Sequence, residues 1–359
     1  MKTIYHIAES VANESGGLKT VVLNLNSHIS SSFKSQIICN KKEEKDDFLV
    51  FPSNKFKNWA YSKELSLYLK QNLDFQSILH LHGVFMHAHF TGSKVAIKNN
   101  LPYVVSPHGM LEPWHLNDKK IKKSIYLKLF LNKIIKNSNV LHAITPFEKD
   151  NLYKLTNHKN IVEIPNLIHY TNLPKTTNTA DEEDYFMFLG RIHPKKGLDI
   201  LLESFSRIDN KKITLKIVGS ENEYSNELKI KCEKLNISKR VMFLGGVFGD
   251  EKYNLLSNAK AFVAPSYSEA IGMVNLEAAA CNTPVITSFY TGINPEWNTN
   301  GGIMINPNVV ELTKALNDAS SWSNEEQNNR GIMLSEYVKE NYSWEKKGDL
   351  WTELYKTLN

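Results

Sequence analysis

Glu269 and Glu277 are the residues of this sequence whose types and spacing have the clearest chemical use. They lie in the segment PSYSEAIGMVNLEAAACNTPVI, at the end of the apolar run AFVAPS, which predicts a buried strand. Glu269 would then occupy a loop, and Glu277 a helix that begins near Met273. Carboxylates accept hydrogen bonds from pairs of hydroxyl groups, and the free N–H groups of Gly272, Met273 and Val274 at the helix start favour an anion. Taken alone, the segment fits better an ordinary helix with one exposed and one capping glutamate.

A cationic pair follows another predicted strand, YFMFLG. Arg191 comes directly after this strand, and Lys196 lies in the segment HPKKG that leads into the next helix. Arginine is scarce in this sequence, and Arg191 is the first one in the chain. A guanidinium fork and an ammonium together suit a diphosphate, so we predict that this pair binds one. The alternative is a salt-bridging pair on the surface.

A glycine pair, Gly16 and Gly17, follows the first predicted strand and opens a helix, with Lys19 close behind. Glycines let the backbone approach a ligand closely, and the helix N-terminus favours an anion. From these residues alone, a phosphate contact and a plain strand-to-helix turn are equally open.

Histidines are concentrated in the first half of the chain. His80 and His82 fall on one face of a predicted strand because side chains alternate along it, and His87 and His89 follow. These imidazoles fit core or cleft-lining positions better than a metal site, since no cysteine lies nearby. His108 follows the next strand, YVVS, where a structural role and a ligand-binding role are equally open.

These candidate residues all follow predicted strands, so a parallel sheet has to position them. Short apolar runs alternate with amphipathic helical stretches, first from TIYHIA to IVEIPN and again from YFMFLG to PVITS. This alternation predicts two doubly wound, Rossmann-like α/β domains, at residues 1–170 and 185–343, facing a cleft between them. The polar segment 171–184 is predicted to be a linker. Ligands of such sheets bind beyond the carboxyl ends of the strands, where the candidate residues fall.

The composition is that of a globular protein. The 359 residues are 42% hydrophobic and 23% charged, a balance that supports buried cores. The apolar runs are too short for a membrane-spanning helix or a signal peptide, and the cysteines form no CxxC pair. These features predict a cytoplasmic protein without a disulfide framework.

Charge is distributed unevenly along the chain. Residues 1–170 contain 22 lysines and 13 acidic residues, although the net charge of the whole chain is only +5. This excess favours a negatively charged partner, such as a phosphate-bearing substrate or a membrane surface. Lysines and isoleucines interleave from Lys119 to Lys136, which fits either a helix lying on an anionic membrane or a core-packed helix with a solvated lysine face. Nucleic-acid binding is disfavoured, because this stretch lacks interleaved stacking aromatics.

Taken together and in order, the motifs resemble the retaining glycosyltransferases of family 4, which have the GT-B architecture. The similarity covers nearly the whole chain and rests on the order and spacing of these segments: GGLKTVV, HLHGVF, SPHGMLEPW, AITPFEKDNL, IPN, FLGRIHPKKGLDILLESF, LKIVGS, VMFLGGV, PSYSEAIGMVNLEAAACNTPVI and YSWEKKGDLWTELY. HLHG and SPHGML look most like the bacterial branch that builds O-antigen, capsule or exopolysaccharide. The resemblance also implies that residues 344–359 form a helix that crosses back onto the first domain.

The resemblance implies a role for each matched position. Glu269 would contact the transferred sugar, and Glu277 would bind the donor ribose. Arg191 and Lys196 would hold the diphosphate without a metal or other cofactor, and His108 would line the sugar pocket. The remaining donor-side residues would be Gly16, Gly17, Gly190, Gly219, Gly245, Gly246, Ala270, Ile271, Gly272, Met273 and Val274. The acceptor-side residues would be Lys19, His82 and Met110.

One departure from the family pattern concerns the loop that contains Glu269. The family usually has Glu-Gly-Phe-Gly where this chain has Glu269-Ala270-Ile271-Gly272. We expect Ala270 and Ile271 to narrow this loop and to change which sugar fits.

The implied function is transfer of a hexose-type sugar from a nucleotide-diphosphate sugar to a lipid-linked or oligosaccharide acceptor. This reaction would take place in the cytoplasm, with a peripheral contact to the inner face of the plasma membrane as an open alternative. A sugar-nucleotide epimerase of the same fold and a non-catalytic sugar-binding protein are the rival functions. The sequence leaves open the base, the sugar, the acceptor, the linkage and the oligomeric state.

Overall fold

The chain folds into two compact units. The computed structural model describes residues 2–12, 16–42, 48–56, 59–113, 116, 126–171 and 184–358. The first unit comprises Met1–Leu167 together with Gly348–Asn359, and the second comprises Ile168–Lys347. Most of the predicted linker lies outside the described residues, and so do residues 119–125 of the basic stretch.

The first unit is built on a seven-stranded parallel sheet with the strand order β3-β2-β1-β4-β5-β6-β7. The strands are β1 (Thr3–Ala8), β2 (Lys34–Cys39), β3 (Leu49–Val50), β4 (Ser77–His82), β5 (Tyr103–Ser106), β6 (Val140–Ala143) and β7 (Ile161–Glu163). The α-helices are α1 (Gly17–Ile29), α2 (Lys63–Asn72), α3 (His87–Asn99), α4 (Asn132–Lys136) and α5 (Pro146–Thr156).

Local sequence explains these elements. Every residue of β4, SILHLH, is buried, which is the pattern of a parallel strand covered on both faces. Helix α1 buries Val22, Leu25 and Ile29, which recur at helical spacing on one side. Helix α5 begins after Thr145, whose side chain accepts a hydrogen bond from the Glu148 N–H at 3.0 Å.

The second unit is built on a six-stranded parallel sheet with the strand order β10-β9-β8-β11-β12-β13. The strands are β8 (Tyr185–Leu189), β9 (Thr214–Val218), β10 (Val241–Gly245), β11 (Ala261–Ala264), β12 (Val285–Ser288) and β13 (Ile303–Ile305). The α-helices are α6 (Leu198–Arg207), α7 (Glu223–Lys234), α8 (Gly249–Ser257), α9 (Met273–Ala280), α10 (Val309–Ser321), α11 (Asn324–Tyr342) and α12 (Trp344–Lys347).

The two sheets confirm the predicted fold class of two doubly wound, Rossmann-like α/β domains. In the second unit, α6 places Leu198, Leu201 and Phe205 in the core beside the strands. Strands β3 and β13, of two and three residues, were not predicted, although the three-residue β7 was, within the run IVEIPN. Runs this short give little periodic signal.

The described end of the basic stretch packs into the first unit. It forms a π-helical turn, Leu127–Leu131, followed by α4. Ile134 and Ile135 are buried, whereas Lys133 and Lys136 are exposed. In this part, the structure favours the core-packed alternative with a solvated lysine face. None of the helices in the described ranges combines the length and apolar character that a bilayer crossing requires.

The C-terminal residues form two helices, where the resemblance implied one. Helix α12 belongs to the second unit, and the final helix α13 (Asp349–Lys356) belongs to the first. The division therefore falls at Gly348 and not at residue 344. Helix α13 packs Trp351 against His80 and His142, with ring centroids 5.3 and 4.5 Å apart. It covers a histidine-rich face of the first sheet.

Candidate active site

The predicted site residues of the second unit converge where its strand order reverses. This reversal lies between β8 and β11, and loops that leave two such strands diverge and form a ligand-binding crevice. Gly190 and Arg191 directly follow β8, and Glu269 lies in the loop after β11. The residues predicted to bind phosphate and hydroxyl groups therefore lie at the same edge of one sheet.

An ion pair between Lys196 and Glu269 joins these two loops. Two backbone hydrogen bonds hold the second loop in place: the Tyr267 N–H donates to the Lys195 carbonyl at 2.9 Å, and the Glu269 N–H donates to the Tyr290 carbonyl at 2.8 Å. The two charged side chains are 18% and 21% exposed. They are thus fixed by the fold and still partly open to solvent.

The surrounding charges determine the protonation of Glu269. Burial of the carboxyl group raises its pKa, but the Lys196 ammonium, helped by Lys195 and Arg191, brings the pKa below its usual value. Glu269 is therefore a carboxylate at neutral pH and accepts hydrogen bonds. A carboxylate beside clustered cations suits a ligand that carries both hydroxyl and phosphate groups.

Gly197 connects the turn that carries Lys196 to helix α6 and leaves no room for a side chain. Its φ is +68°, and a Cβ here would lie 2.2 Å from the Pro265 carbonyl oxygen. We expect Gly197→Ala to lower the free energy of unfolding by about 1–2 kcal/mol for the left-handed backbone and by a further 1–3 kcal/mol or so for overpacking.

Gly249→Ala is the matched control for this prediction. Gly249 has a similar φ of +61°, but a Cβ there meets no atom within 4 Å. Only the backbone cost of about 1–2 kcal/mol is therefore expected. Urea denaturation measures both variants, and equal losses would contradict the proposed clash with Pro265.

A second ion pair joins helices α8 and α9. The Lys252 Nζ lies 3.0 Å from the Glu277 Oε1, and both side chains are largely buried. Burial alone lowers the pKa of Lys252, but the Glu277 carboxylate and Tyr253 raise it above its usual value, so this lysine stays charged. Sequence analysis missed Lys252, because in GDEKYNLL it resembles any solvent-facing helical lysine.

Helix α9 begins at Met273 with Gly272 as its N-cap, as predicted, and no side chain caps it. Met273 and Val274 are partly exposed at this N-terminus, where backbone N–H groups favour an anion. Ala270 is also partly exposed. Ile271 requires a correction: its side chain is only 6% exposed. It therefore offers little surface to a ligand in this loop.

Glycines line the carboxyl ends of β8, β9 and β10. The Gly190 N–H donates to the Val218 carbonyl at 2.9 Å, and the Gly219 N–H donates to the Gly245 carbonyl at 2.8 Å. A Cβ on Gly219 would lie 2.1 Å from the Gly190 carbonyl oxygen, so this contact requires glycine. Gly246 follows and is exposed. The predicted glycines thus form an edge without side chains, which a ligand can approach closely.

The strand order of the first unit reverses between β1 and β4. Helix α1, the next helix after β1, has Gly16 as its N-cap with φ +56°. Gly16 and Gly17 are exposed, and Lys19 is partly buried in the first turn. This unit therefore also presents a helix N-terminus with adjacent glycines near its reversal point, as predicted.

His6, His80 and His82 lie together inside the first unit, on the paired strands β1 and β4. Each offers a ring nitrogen within 4.8 Å of the others. The His6 Nδ1 and the His82 Nε2 are 2.9 Å apart, which is a hydrogen-bond length. Two imidazole ligands of a tetrahedral zinc ion stand farther apart, since each Zn–N bond is about 2.0–2.1 Å long. The geometry favours hydrogen-bonded core histidines.

His82 requires a second correction. It was predicted on the acceptor side, but its side chain is 1% exposed and both ring nitrogens are engaged. Its Nε2 is hydrogen-bonded to His6, and its Nδ1 lies 3.1 Å from the His108 Nε2. His82 therefore supports the partly exposed His108 and does not offer a ligand contact of its own. Met110 packs against the core of the first unit while remaining partly exposed.

Other members of this network were missed by sequence analysis. The Ser106 Oγ is hydrogen-bonded to the His80 Nε2 at 2.6 Å and to the His142 Nδ1 at 2.8 Å. The Tyr355 hydroxyl of α13 lies 2.6 Å from the His80 Nδ1. The sequence did contain a signal for His142. It lies in the apolar run VLHA, which forms a buried strand, and a buried imidazole needs hydrogen-bond partners.

Two family models match consecutive parts of the chain. Glycosyltransferase Family 4 matches residues 15–171, and Glycosyl transferases group 1 matches residues 170–332. These ranges contain the glycine pair, the His108 loop, the Lys196–Glu269 pair and Glu277. Both parts of the chain therefore match glycosyltransferase families.

Relatives of this chain include MJ1607, an uncharacterized glycosyltransferase of Methanocaldococcus jannaschii, at 28% identity over 239 residues, which is 62% of this chain and 60% of the relative. The O-antigen chain mannosyltransferase RfbU of Salmonella typhimurium is 29% identical over 202 residues, 55% of each protein. The chain thus spans less than two thirds of the length of these relatives. Among solved structures, Anabaena HepE in complex with UDP-glucose has a TM-score of 0.80 at 14% identity, covering 99% of this chain and 100% of HepE. That likeness shows a shared fold.

Proposed function

We propose that this protein transfers a hexose-type sugar from a nucleotide-diphosphate sugar to a hydroxyl group of an acceptor, with retention of configuration at the anomeric carbon. The observation that carries the proposal is the ion pair between Lys196 and Glu269 at the strand-order reversal of the second unit. A cation and a carboxylate at one point match the two chemical parts of the donor, its diphosphate and its sugar hydroxyls.

In the proposed donor complex, Lys196 and Arg191 bind the diphosphate, and Glu269 accepts hydrogen bonds from the sugar. The exposed N-terminus of helix α9, at Gly272 to Val274, adds backbone donors. Glu277 binds the ribose hydroxyls, while the 3.0 Å contact with Lys252 holds its carboxylate in place. The edge formed by Gly190, Gly219 and Gly246 borders the base.

The proposed reaction breaks the bond between the anomeric carbon and the diphosphate oxygen. The acceptor oxygen bonds to the same face of that carbon, and its proton passes to the departing phosphate. Negative charge develops on the diphosphate, and the preorganised charges of Arg191 and Lys196 stabilise it, which is usually the largest catalytic contribution. Glu269 orients the sugar and forms no covalent bond. The proposal requires no metal ion.

We further propose that the acceptor is a lipid-linked or oligosaccharide precursor of a bacterial surface polysaccharide such as O-antigen, capsule or exopolysaccharide. One comparison supports this acceptor: RfbU is an O-antigen chain mannosyltransferase. HepE, which was solved with UDP-glucose, supports instead a nucleotide-diphosphate sugar as the donor. The lysine excess of residues 1–170 suits an acceptor that carries phosphate groups. We propose that the protein acts in the cytoplasm and contacts the inner face of the plasma membrane peripherally.

The test combines a donor screen with product analysis. The purified protein is incubated with isotope-labelled UDP- and GDP-sugars and with lipid-linked or oligosaccharide acceptors. The proposal expects label in the acceptor with the anomeric configuration of the donor, read by NMR. Isomerised donor without transfer would instead support the epimerase alternative, and sugar binding without turnover would support the non-catalytic one. A glycosyl–Glu269 adduct detected by mass spectrometry would overturn the assigned role of Glu269.

A further inference from the structure

The backbone of His108 adopts a conformation that L-residues rarely take. Its φ is +52°, in the left-handed region, and the following Gly109 has φ +75°. For a residue with a Cβ this conformation is unfavourable, and it persists only where the surroundings enforce it. The loop after β5 must therefore contain contacts that hold His108 in this state.

Glu148 supplies such contacts from the next helix. This side chain is 2% exposed, and it bridges two loops. Its Oε1 accepts the Gly109 N–H at 2.7 Å, and its Oε2 accepts the Ile144 N–H at 2.8 Å. Both carboxylate oxygens are thus used to tie the loop after β5 to the end of β6.

The His108 ring is fixed separately from the other side. It stacks on the His82 ring at 14° with centroids 5.4 Å apart, and its Nε2 lies 3.1 Å from the His82 Nδ1. His82 in turn is hydrogen-bonded to His6. The ring therefore has a defined orientation in combination with the left-handed backbone.

We propose that Glu148 is a positioning residue for His108: its two backbone hydrogen bonds hold the His108–Gly109 loop so that the imidazole stacks on His82 and keeps the single orientation that it uses in sugar transfer. The role in sugar binding rests on the proposed function, whereas the role in holding the loop does not. Nothing in the sequence motifs alone assigned a function to Glu148.

Glu148→Gln is the decisive variant, because it keeps the volume and changes one acceptor into a donor. The new NH₂ group would face a backbone N–H, so one of the two hydrogen bonds is lost. Thr145→Ala is the matched control. It removes the cap of the same helix, where the Thr145 Oγ1 accepts the Glu148 N–H, and leaves both carboxylate bonds intact. A lower melting temperature is expected for both variants.

The first measurement does not depend on activity. In Glu148→Gln, amide hydrogen exchange of residues 107–110 should become faster, and the His108 ring signal in ¹³C-histidine NMR should shift, with the signal assigned by its absence in His108→Gln. Thr145→Ala should leave both unchanged. If Glu148→Gln shows the same exchange rates for residues 107–110 and the same His108 ring signal as the wild type, the positioning role is overturned.

The second measurement uses sugar transfer. Glu148→Gln should lower kcat by about 10- to 100-fold, the scale expected for a misplaced active-site group, while the affinity for UDP or GDP and the activity of Thr145→Ala stay within about twofold of wild type. In a double-mutant cycle, Glu148→Gln should add no loss to that of His108→Ala. Additive losses would overturn the proposal. If the wild type transfers no sugar, the proposed function is refuted. The hydrogen-exchange measurement then still decides whether Glu148 positions His108.

Discussion

Replacing Lys196 with alanine is expected to lower the turnover of sugar transfer by at least ~100-fold, the scale of losing one donor that stabilises developing charge. Lys196 is paired with Glu269 at the strand-order reversal, and in the proposed complex its ammonium meets the departing diphosphate. The change also leaves Glu269 without its nearest cation, so its pKa should rise, because burial already favours the neutral form. Single-turnover kinetics with a labelled donor measures the effect on the chemical step.

Lys195→Ala provides the control for this experiment. Lys195 is the adjacent lysine on the same turn, and it contributes less than Lys196 to the ionisation of Glu269. Its replacement removes the same formal charge from the same unit, and we expect a loss below about tenfold. Similar losses in the two variants would mean that general positive potential matters and that Lys196 has no specific contact. Full activity of Lys196→Ala would remove this residue from the diphosphate role.

The first unit is expected to lose its stability as the pH falls from about 6.5 to 4, earlier than the second unit. Burial lowers the pKa of His6 and His108 to about 3 and that of His142 to about 4, and it places those of His80 and His82 well below the usual value. These imidazoles are neutral in the folded state. The unfolded chain takes up their protons below about pH 6.5, so protonation favours unfolding.

The size of this effect follows from proton linkage. Above pH 6.5 neither state binds the protons, and the stability is fully present. Below it, each histidine that stays neutral when folded costs about 1.4 kcal/mol per pH unit. Two or three such groups would exhaust a typical domain stability of about 5–15 kcal/mol within a few pH units.

The second unit serves as an internal control for this prediction. It contains only His169 and His193 of the 12 histidines. Amide hydrogen exchange read by mass spectrometry, corrected for the intrinsic pH dependence of exchange, reports each unit separately. Protection of β1, β4 and β5 should disappear near pH 5 while that of β8 and β9 persists. Equal protection of the first unit at pH 7 and pH 4.5 would contradict the account.

The fold could be predicted because its signal is repeated along the chain. Buried parallel strands appear as short apolar runs, and the residues just after them fall at one edge of the sheet. This rule correctly predicted that Arg191, Lys196 and Glu269 lie at the same edge. Helix α9 starts at the predicted Met273, directly after Gly272. Strands as short as β3, β7 and β13 give little such signal, and of these only β7 was predicted.

Side-chain contacts between distant elements were beyond prediction. Lys252 meets Glu277 only because α8 packs beside α9, and Glu148 meets Gly109 only across two strand ends. Ile271 was expected to narrow a ligand-binding loop, but it is buried, and the sequence of a loop has no periodicity from which burial could be predicted. The burial of His82 also depends on a distant element. Strand alternation correctly placed His80 and His82 on one face of the sheet, but the sequence did not show that helix α13 packs on that face.

The central claim is that the edge of the second sheet around Lys196, Glu269 and Glu277 binds a nucleotide-diphosphate sugar. Titration calorimetry of the wild type with UDP, GDP and their sugar derivatives tests it directly, together with the variants Lys196→Ala, Glu277→Gln and His108→Ala. The account predicts binding of one nucleotide, weakened at least about tenfold by the first two changes, the scale of about 1.4 kcal/mol, with the affinity for UDP or GDP alone unaffected by His108→Ala. Binding that is insensitive to both Lys196→Ala and Glu277→Gln, or no binding of any nucleotide at millimolar concentration, would contradict it.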